Sequence, residues 1–248
     1  MKSKYAVVFV HGILGFDRIR LPGFSIEYFR GLSYALQDAP LPLFFPRLPA
    51  VGTVMERAGL LSGYINTIAS ENLCLIGHSM GGLDARYYAS KLDTGHRVKQ
   101  IITVGTPHHG SPLADLIVSG KGPFPVIARH ILKSGIHDLT VEACSRFNAS
   151  VTDRPDIMYL SYAGARPVAE MPPWYRGWTR MINKEANGND SQVAVTSARW
   201  GKLAGVVRAD HLELAGWSLA LPDRETCRPF DHIAFYRQIV KDIVEKTY

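Results

Sequence analysis

Four short, largely apolar runs punctuate the chain: YAVVFV at 5–10, LCLI at 73–76, QIITV at 100–104 and IMYLSY at 157–162. Runs of this length read as strands covered on both sides, since a half-exposed strand would alternate apolar with polar residues. Between them the period lengthens. Ile26, Phe29, Leu32 and Leu36 recur at helical spacing within residues 24–37, and a second helix is expected over 53–68. A third follows residue 79, with Leu83, Ala85 and Tyr87 to Ala89 on its apolar positions and an end near Lys91, and a terminal helix is expected over 233–244. Strands alternating with helices predict an α/β chain with a mostly parallel central sheet and helices on both faces. Residues 1–248 are expected to form one domain. A stretch rich in Gly and Pro at 119–139 marks a small cap or lid insertion within residues 117–147, and residues 168–189, with Pro172, Pro173, Trp174 and Trp178, read as irregular before DSQVAV restores order.

Composition removes several classes of function. The net charge of +6 is spread over 28 basic and 22 acidic residues without a dense Lys/Arg block, the pattern of a solvated surface rather than of a nucleic-acid groove. Cys74, Cys144 and Cys227 are widely spaced and lack a CxxC pair, so neither a zinc ribbon nor a disulfide framework is indicated. No apolar run approaches the roughly 20 residues of a membrane-spanning helix. The opening MKSKYAVVFVHG runs into a His-Gly loop without a small-residue cleavage site and reads as a first strand. Any export signal is then absent or already removed, which leaves a cytoplasmic or a mature secreted form.

The chemistry is concentrated at Gly77-His78-Ser79-Met80-Gly81, where a strand meets a helix. A serine hydroxyl is a poor nucleophile until a base takes its proton and a donor meets the oxyanion it creates. A sharp strand-to-helix turn supplies the geometry: it exposes Ser79, demands glycine on either side, and turns the Met80 amide at a helix N-terminus towards developing negative charge. A second oxyanion donor is expected from the loop VFVHGILGF, where the exit at His11-Gly12 brings up the amide of Ile13. The base should come late in the chain, which leaves His211 and His232. His211, in RADHLELAGW, is preferred, because His232 opens the terminal helix. The acid should lie on a loop ahead of the histidine and orient its imidazole. Asp190, in the polar turn GNDSQV, leads over Glu170, Asp156 and Asp210.

VFVHGILGFDRI, GHSMGGLDARYYAS and VGTPHHGSPLADL, followed in order by RFNASV, YLSYAGA, GNDSQV, ADHLE and FYRQI, together resemble bacterial true lipases of the Proteus and pseudomonad branch. The resemblance covers nearly the whole chain. It implies an α/β-hydrolase fold, Ser79 as nucleophile, Asp190 as acid, His211 as base, and the Ile13 and Met80 amides as oxyanion hole. Three departures stand out. The family's turn after the acid usually reads Asp-Gly, and here it is Asp190-Ser191. No cysteine follows Asp190 where secreted members carry a disulfide. The family's structural calcium uses carboxylates near the catalytic histidine, typically in His-Leu-Asp, where this chain has His211-Leu212-Glu213; Glu213 and Glu170 are the remnants, and a calcium site is not expected.

The expected reaction is acyl transfer from an ester to water, with no metal or organic cofactor. Leu14, Phe16 and Phe124 are the expected contacts to an acyl chain of medium or long length, at a lipid–water interface. Two other readings stand beside it: an acyltransferase or polyester depolymerase with the same triad, and a silent hydrolase scaffold that binds a partner.

Overall fold

The computed structural model describes residues 4–15, 18–21, 24–120, 134–171, 173, 176–182, 188–217 and 229–247. Its centre is a six-stranded sheet of β1 (Tyr5–Val10), β4 (Leu43–Phe44), β5 (Asn72–His78), β6 (Val98–Val104), β7 (Met158–Gly164) and β8 (Lys202–Val207), in the order β4-β1-β5-β6-β7-β8. Every pairing is parallel, so all six strands end at one edge of the sheet. A separate antiparallel hairpin joins β2 (Arg18–Leu21) to β3 (Phe24–Glu27).

Strand periodicity explains the layering. On β1, Ala6, Val8 and Val10 point into one core with Leu73 and Leu75, covered by Ala58, Leu61 and Ile65 of α2 (Val54–Ile65) and Ala85 of α3 (Met80–Tyr87). The intervening Val7 and Phe9 point into the other core, with Cys74, Ile76 and Tyr236, Ile239 and Ile243 of the C-terminal helix α8 (His232–Thr247). Both faces are therefore buried, as continuous apolar runs require.

Local chemistry accounts for the helix starts. Thr53 caps α2 through its side chain, which accepts from the Glu56 amide, while the Glu56 carboxylate returns to the Thr53 amide. This capping box fixes the helix to begin where the sequence placed it. α3 passes into a π-turn over Tyr88–Leu92. Between β6 and β7 lie α4 (Pro112–Ser119), with Ser111 as cap and Pro112 at its first position, and α5 (Val141–Ser150). After β7 come α6 (Arg176–Ile182) and the short α7 (Val195–Ala198).

The expectation of one helix over 24–37 is corrected. Ile26 pairs with Ile19 in the hairpin, Gly31 takes a left-handed φ of 67°, and only α1 (Leu32–Ala35) is helical. A β-branched residue in a strand pair and a left-handed glycine break the period that the apolar spacing suggested. Much of the cap candidate 117–147 lies outside the described residues. Its described C-terminal part packs into the body: Ile136, Leu139 and Cys144 share a core with Met80 and Leu83.

Candidate active site

β5 ends at His78, α3 begins at Met80, and Ser79 makes the corner with φ 55° and ψ −130°. This is a left-handed conformation that costs a non-glycine residue roughly 1–3 kcal/mol and persists only where the surroundings impose it. They do so through its backbone: the Ser79 amide donates to Val104 O at 3.0 Å, and its carbonyl accepts from Thr106 Oγ1 at 2.8 Å. The flanking glycines answer to backbone, not to other side chains. A Cβ on Gly77 would lie 2.5 Å from Gly82 Cα, and one on Gly81 2.2 Å from the Val10 carbonyl. α3 can approach β5 and β1 this closely only without those methyl groups.

Into this corner the chain delivers two loops. His211 Nε2 lies 2.9 Å from Ser79 Oγ, and His211 Nδ1 lies 2.8 Å from Asp190 Oδ2. Nδ1 faces a carboxylate, which only accepts, so it carries the proton and leaves Nε2 as acceptor for the serine hydroxyl. The loops also meet through their backbones, His211 N–H to Asp190 O at 2.8 Å. The second carboxylate oxygen of Asp190 accepts the amides of Gln192 at 3.0 Å and Val193 at 2.7 Å. Asp190 and His211 are both buried. The turn that presents Asp190 places Ser191 at φ 81°, so the serine occupies the left-handed position where the resembled family carries glycine. Its buried Oγ has no hydrogen-bond partner among the described residues.

The competitors are engaged elsewhere. His232 Nε2 lies 2.7 Å from Arg30 O. Glu170 pairs with Arg208, and Asp156 with Arg154. Asp210 turns its Oδ1 to the amides of Leu212 and Glu213, both at 2.9 Å.

The loop after β1 is clamped at each peptide. His11 Nδ1 donates to Gly12 O at 2.8 Å, and its Nε2 accepts the Leu48 amide at 3.0 Å. In a trans peptide the N–H points opposite the C=O, so fixing the Gly12 carbonyl also fixes the direction of the Ile13 N–H. The His11 carbonyl is held by Arg57, whose guanidinium also reaches Pro49 O and sits 2.8 Å from Asp84 Oδ2. Arg57 and Asp84 are both fully buried. Burial pushes the Asp84 carboxyl up to about 6 against the pull of Arg57. The sequence reading missed this pair, although a signal existed: Arg57 stands among Val54, Ala58, Leu61 and Ile65 on the apolar stripe of α2, where a charge needs a partner. Met80 opens α3, so its N–H has no acceptor within the helix. Leu14 has φ 58° and is 57% exposed, its amide on Ala50 O. Phe16 and Phe124 lie outside the described residues.

The carboxylates proposed as calcium remnants do not fit the ion. Glu213 is buried against Arg166 at 2.8 Å, and Glu170 takes Arg208. Among the described residues no group of three or more His, Cys, Asp or Glu side chains is placed to hold a metal ion, and calcium takes 6–8 oxygen ligands. No described helix is long and apolar enough to cross a membrane.

Residues 51–118 match the family model described as the PGAP1-like alpha/beta domain. A triacylglycerol lipase of Saccharomyces cerevisiae is 28% identical over 90% of this chain and 75% of its own length. One from Pseudomonas fragi is 34% identical over 46% of this chain, a stretch that is 39% of that protein. In fold, a metagenomic carboxyl esterase superposes with a TM-score of 0.76 at 18% identity, over 99% of this chain and 77% of its own. Its parallel sheet and these likenesses give the chain the α/β-hydrolase fold, and over most of its length it is similar to the yeast triacylglycerol lipase.

Proposed function

We propose that the chain hydrolyses carboxylic esters through Ser79, with His211 as base, Asp190 as acid and the Ile13 and Met80 amides as oxyanion hole. His211 takes the Ser79 proton as the hydroxyl attacks the ester carbonyl. The two amides hold the tetrahedral oxyanion; losing one such donor costs about 2.7–4 kcal/mol in the barrier. The alcohol leaves with the proton from His211, and water repeats the sequence on the acyl-enzyme. Asp190 keeps the imidazole in its Nδ1–H tautomer and offsets the imidazolium charge. The observation that carries this reading is the run of contacts from Ser79 Oγ through His211 to Asp190 Oδ2, at 2.9 and 2.8 Å, behind a strained corner. No step is routed through a metal. Arg166 on Glu213 supports a loop braced by a guanidinium.

The substrate is an ester or lipid with a medium to long acyl chain. Leu14, an exposed apolar side chain on the loop carrying the Ile13 amide, supports this, as do relatives named triacylglycerol lipases. Phe16 and Phe124 are the other proposed substrate contacts. The Pseudomonas fragi likeness supports a place near the pseudomonad branch.

The test is a p-nitrophenyl ester series from C2 to C16, above and below the substrate's aggregation threshold, with wild type, Ser79→Ala, His211→Ala and His232→Ala. The first two substitutions abolish turnover and the third does not. Stoichiometric fluorophosphonate labelling of wild type but not Ser79→Ala identifies the nucleophile. Substantial turnover in His211→Ala overturns the base.

A further inference from the structure

Tyr28 and His78 take no part in the reaction above, yet together they span the two loops on which it depends. His78 Nε2 lies 3.1 Å from the carbonyl oxygen of His211. A carbonyl only accepts, so Nε2 carries the proton, and Nδ1, 2.7 Å from the Tyr28 hydroxyl, is an acceptor. The phenol therefore donates to His78, while its oxygen receives the backbone N–H of Gly12. Every donor in this run meets an acceptor, and neither side chain needs a charge to do so. Burial, and then the neighbouring His211 ring, hold the pKa of His78 well below the ordinary value, so it stays neutral while His211 cycles. The two imidazoles pack with their centroids 4.8 Å apart. From the other side, Trp217 Nε1 donates to the Tyr28 carbonyl at 2.7 Å and the Arg30 amide to Ala215 O at 3.0 Å, so the segment after β3 is bound to the His211 loop twice more.

We propose that Tyr28 and His78 are positioning residues, forming an uncharged hydrogen-bonded strut from the Gly12 N–H to the His211 carbonyl. The strut sets the distance between the oxyanion loop and the base, with Ser79 between them. It rests on the assignment of Ser79, His211 and Asp190 made above. With the strut in place His211 is fixed at three points: its amide on Asp190 O, its Nδ1 on Asp190 Oδ2 and its carbonyl on His78. Apolar side chains of similar volume would fill the same space without fixing that spacing.

The experiment compares Tyr28→Phe, His78→Gln and His78→Leu with wild type and Ser79→Ala. It measures kcat and KM on p-nitrophenyl butyrate, the rate of fluorophosphonate labelling, and Tm. Tyr28→Phe removes one oxygen and keeps the ring, so kcat and the labelling rate fall about tenfold, the equivalent of one lost neutral hydrogen bond. KM stays within about twofold and Tm within a few degrees, the split expected when only the transition state is misaligned. His78→Leu falls by about a hundredfold, and His78→Gln, whose amide can still donate to the His211 carbonyl, recovers to the level of Tyr28→Phe or better. Should the His78 variants fail to fold, Tyr28→Phe decides alone. The strut is overturned if Tyr28→Phe keeps wild-type kcat, or if folded His78→Leu is no worse than His78→Gln. Residual hydrolysis in Ser79→Ala would instead sink the nucleophile assignment, whatever Tyr28 does.

Discussion

Replacing Ser191 by glycine should stabilise this protein. Ser191 has φ 81° and a buried hydroxyl without a partner among the described residues. A left-handed backbone costs a non-glycine residue roughly 1–2 kcal/mol, and an unsatisfied buried hydroxyl roughly 1–3 kcal/mol. Against these, glycine's extra freedom in the unfolded chain costs about 0.5–1 kcal/mol. The balance favours Ser191→Gly by at least about 1 kcal/mol, which for a chain of this size raises Tm by at least about 2–4 °C. Ser191→Ala separates the contributions, because it removes the hydroxyl and keeps the strained φ; it should melt between wild type and Ser191→Gly. Activity should stay within about twofold, since the Ser191 contact to Asn189 Oδ1 is made by its backbone amide and Asp190 is held by Gln192 and Val193. Thermal unfolding by circular dichroism reads the order directly. Ser191→Gly melting at or below wild type would refute the reasoning, and equal gains from alanine and glycine would show that the strain at the left-handed position only matches glycine's extra freedom in the unfolded chain.

Three further outcomes follow from buried contacts. Arg57→Leu strands Asp84 without its cation and should cost about 3–5 kcal/mol in chemical denaturation; Arg57→Leu combined with Asp84→Leu should recover much of this, and an additive double variant would contradict the pairing. Asp210 is raised to about 6 by burial, against about 3.9 in an unfolded chain, so between about pH 4 and pH 6 the native state holds a proton that the unfolded chain releases. Its contribution to stability is therefore present at pH 4 and lost as the pH rises through 6: Asp210→Asn should match wild type near pH 4 and exceed it at pH 7.5, and a constant Tm difference across that range would refute the shift. Gly12→Ala places a methyl carbon 2.8 Å from both Ser79 Cβ and the Tyr28 hydroxyl. Displacing the oxyanion loop by that overlap should lower kcat by about a hundredfold with the fold retained, and unchanged kcat would show that the loop does not set the rate.

The central strands were legible because their apolar runs are largely uninterrupted: β1 begins and ends where YAVVFV does, β5 and β6 extend the expected runs by a few residues, and β7 starts one residue later than its run and ends two beyond it. The edge strands were not. β4 has two residues, and β8, KLAGVV, alternates exposed with half-buried positions around a glycine. Ser79, Asp190 and His211 could be named together because the order of the chain and the chemistry of each side chain limit the choice, and the structure brings those three side chains into contact. Their supports were hidden for a different reason. Arg57 and Asp84 are 27 residues apart, and Tyr28 and His78 are 50 apart. Only the packed sheet decides which polar side chains become neighbours at such separations, so a polar residue alone does not announce its partner.

The parallel sheet carries one more implication, for handling this protein. Ser79, Asp190 and His211 gather beyond the tips where strands finish, whereas the bend formed by Thr94, Gly95 and His96 protrudes into solvent just ahead of β6, at the far rim. A dye, a tether or a solid support coupled at that bend would leave the side that holds Ser79, Asp190 and His211 open.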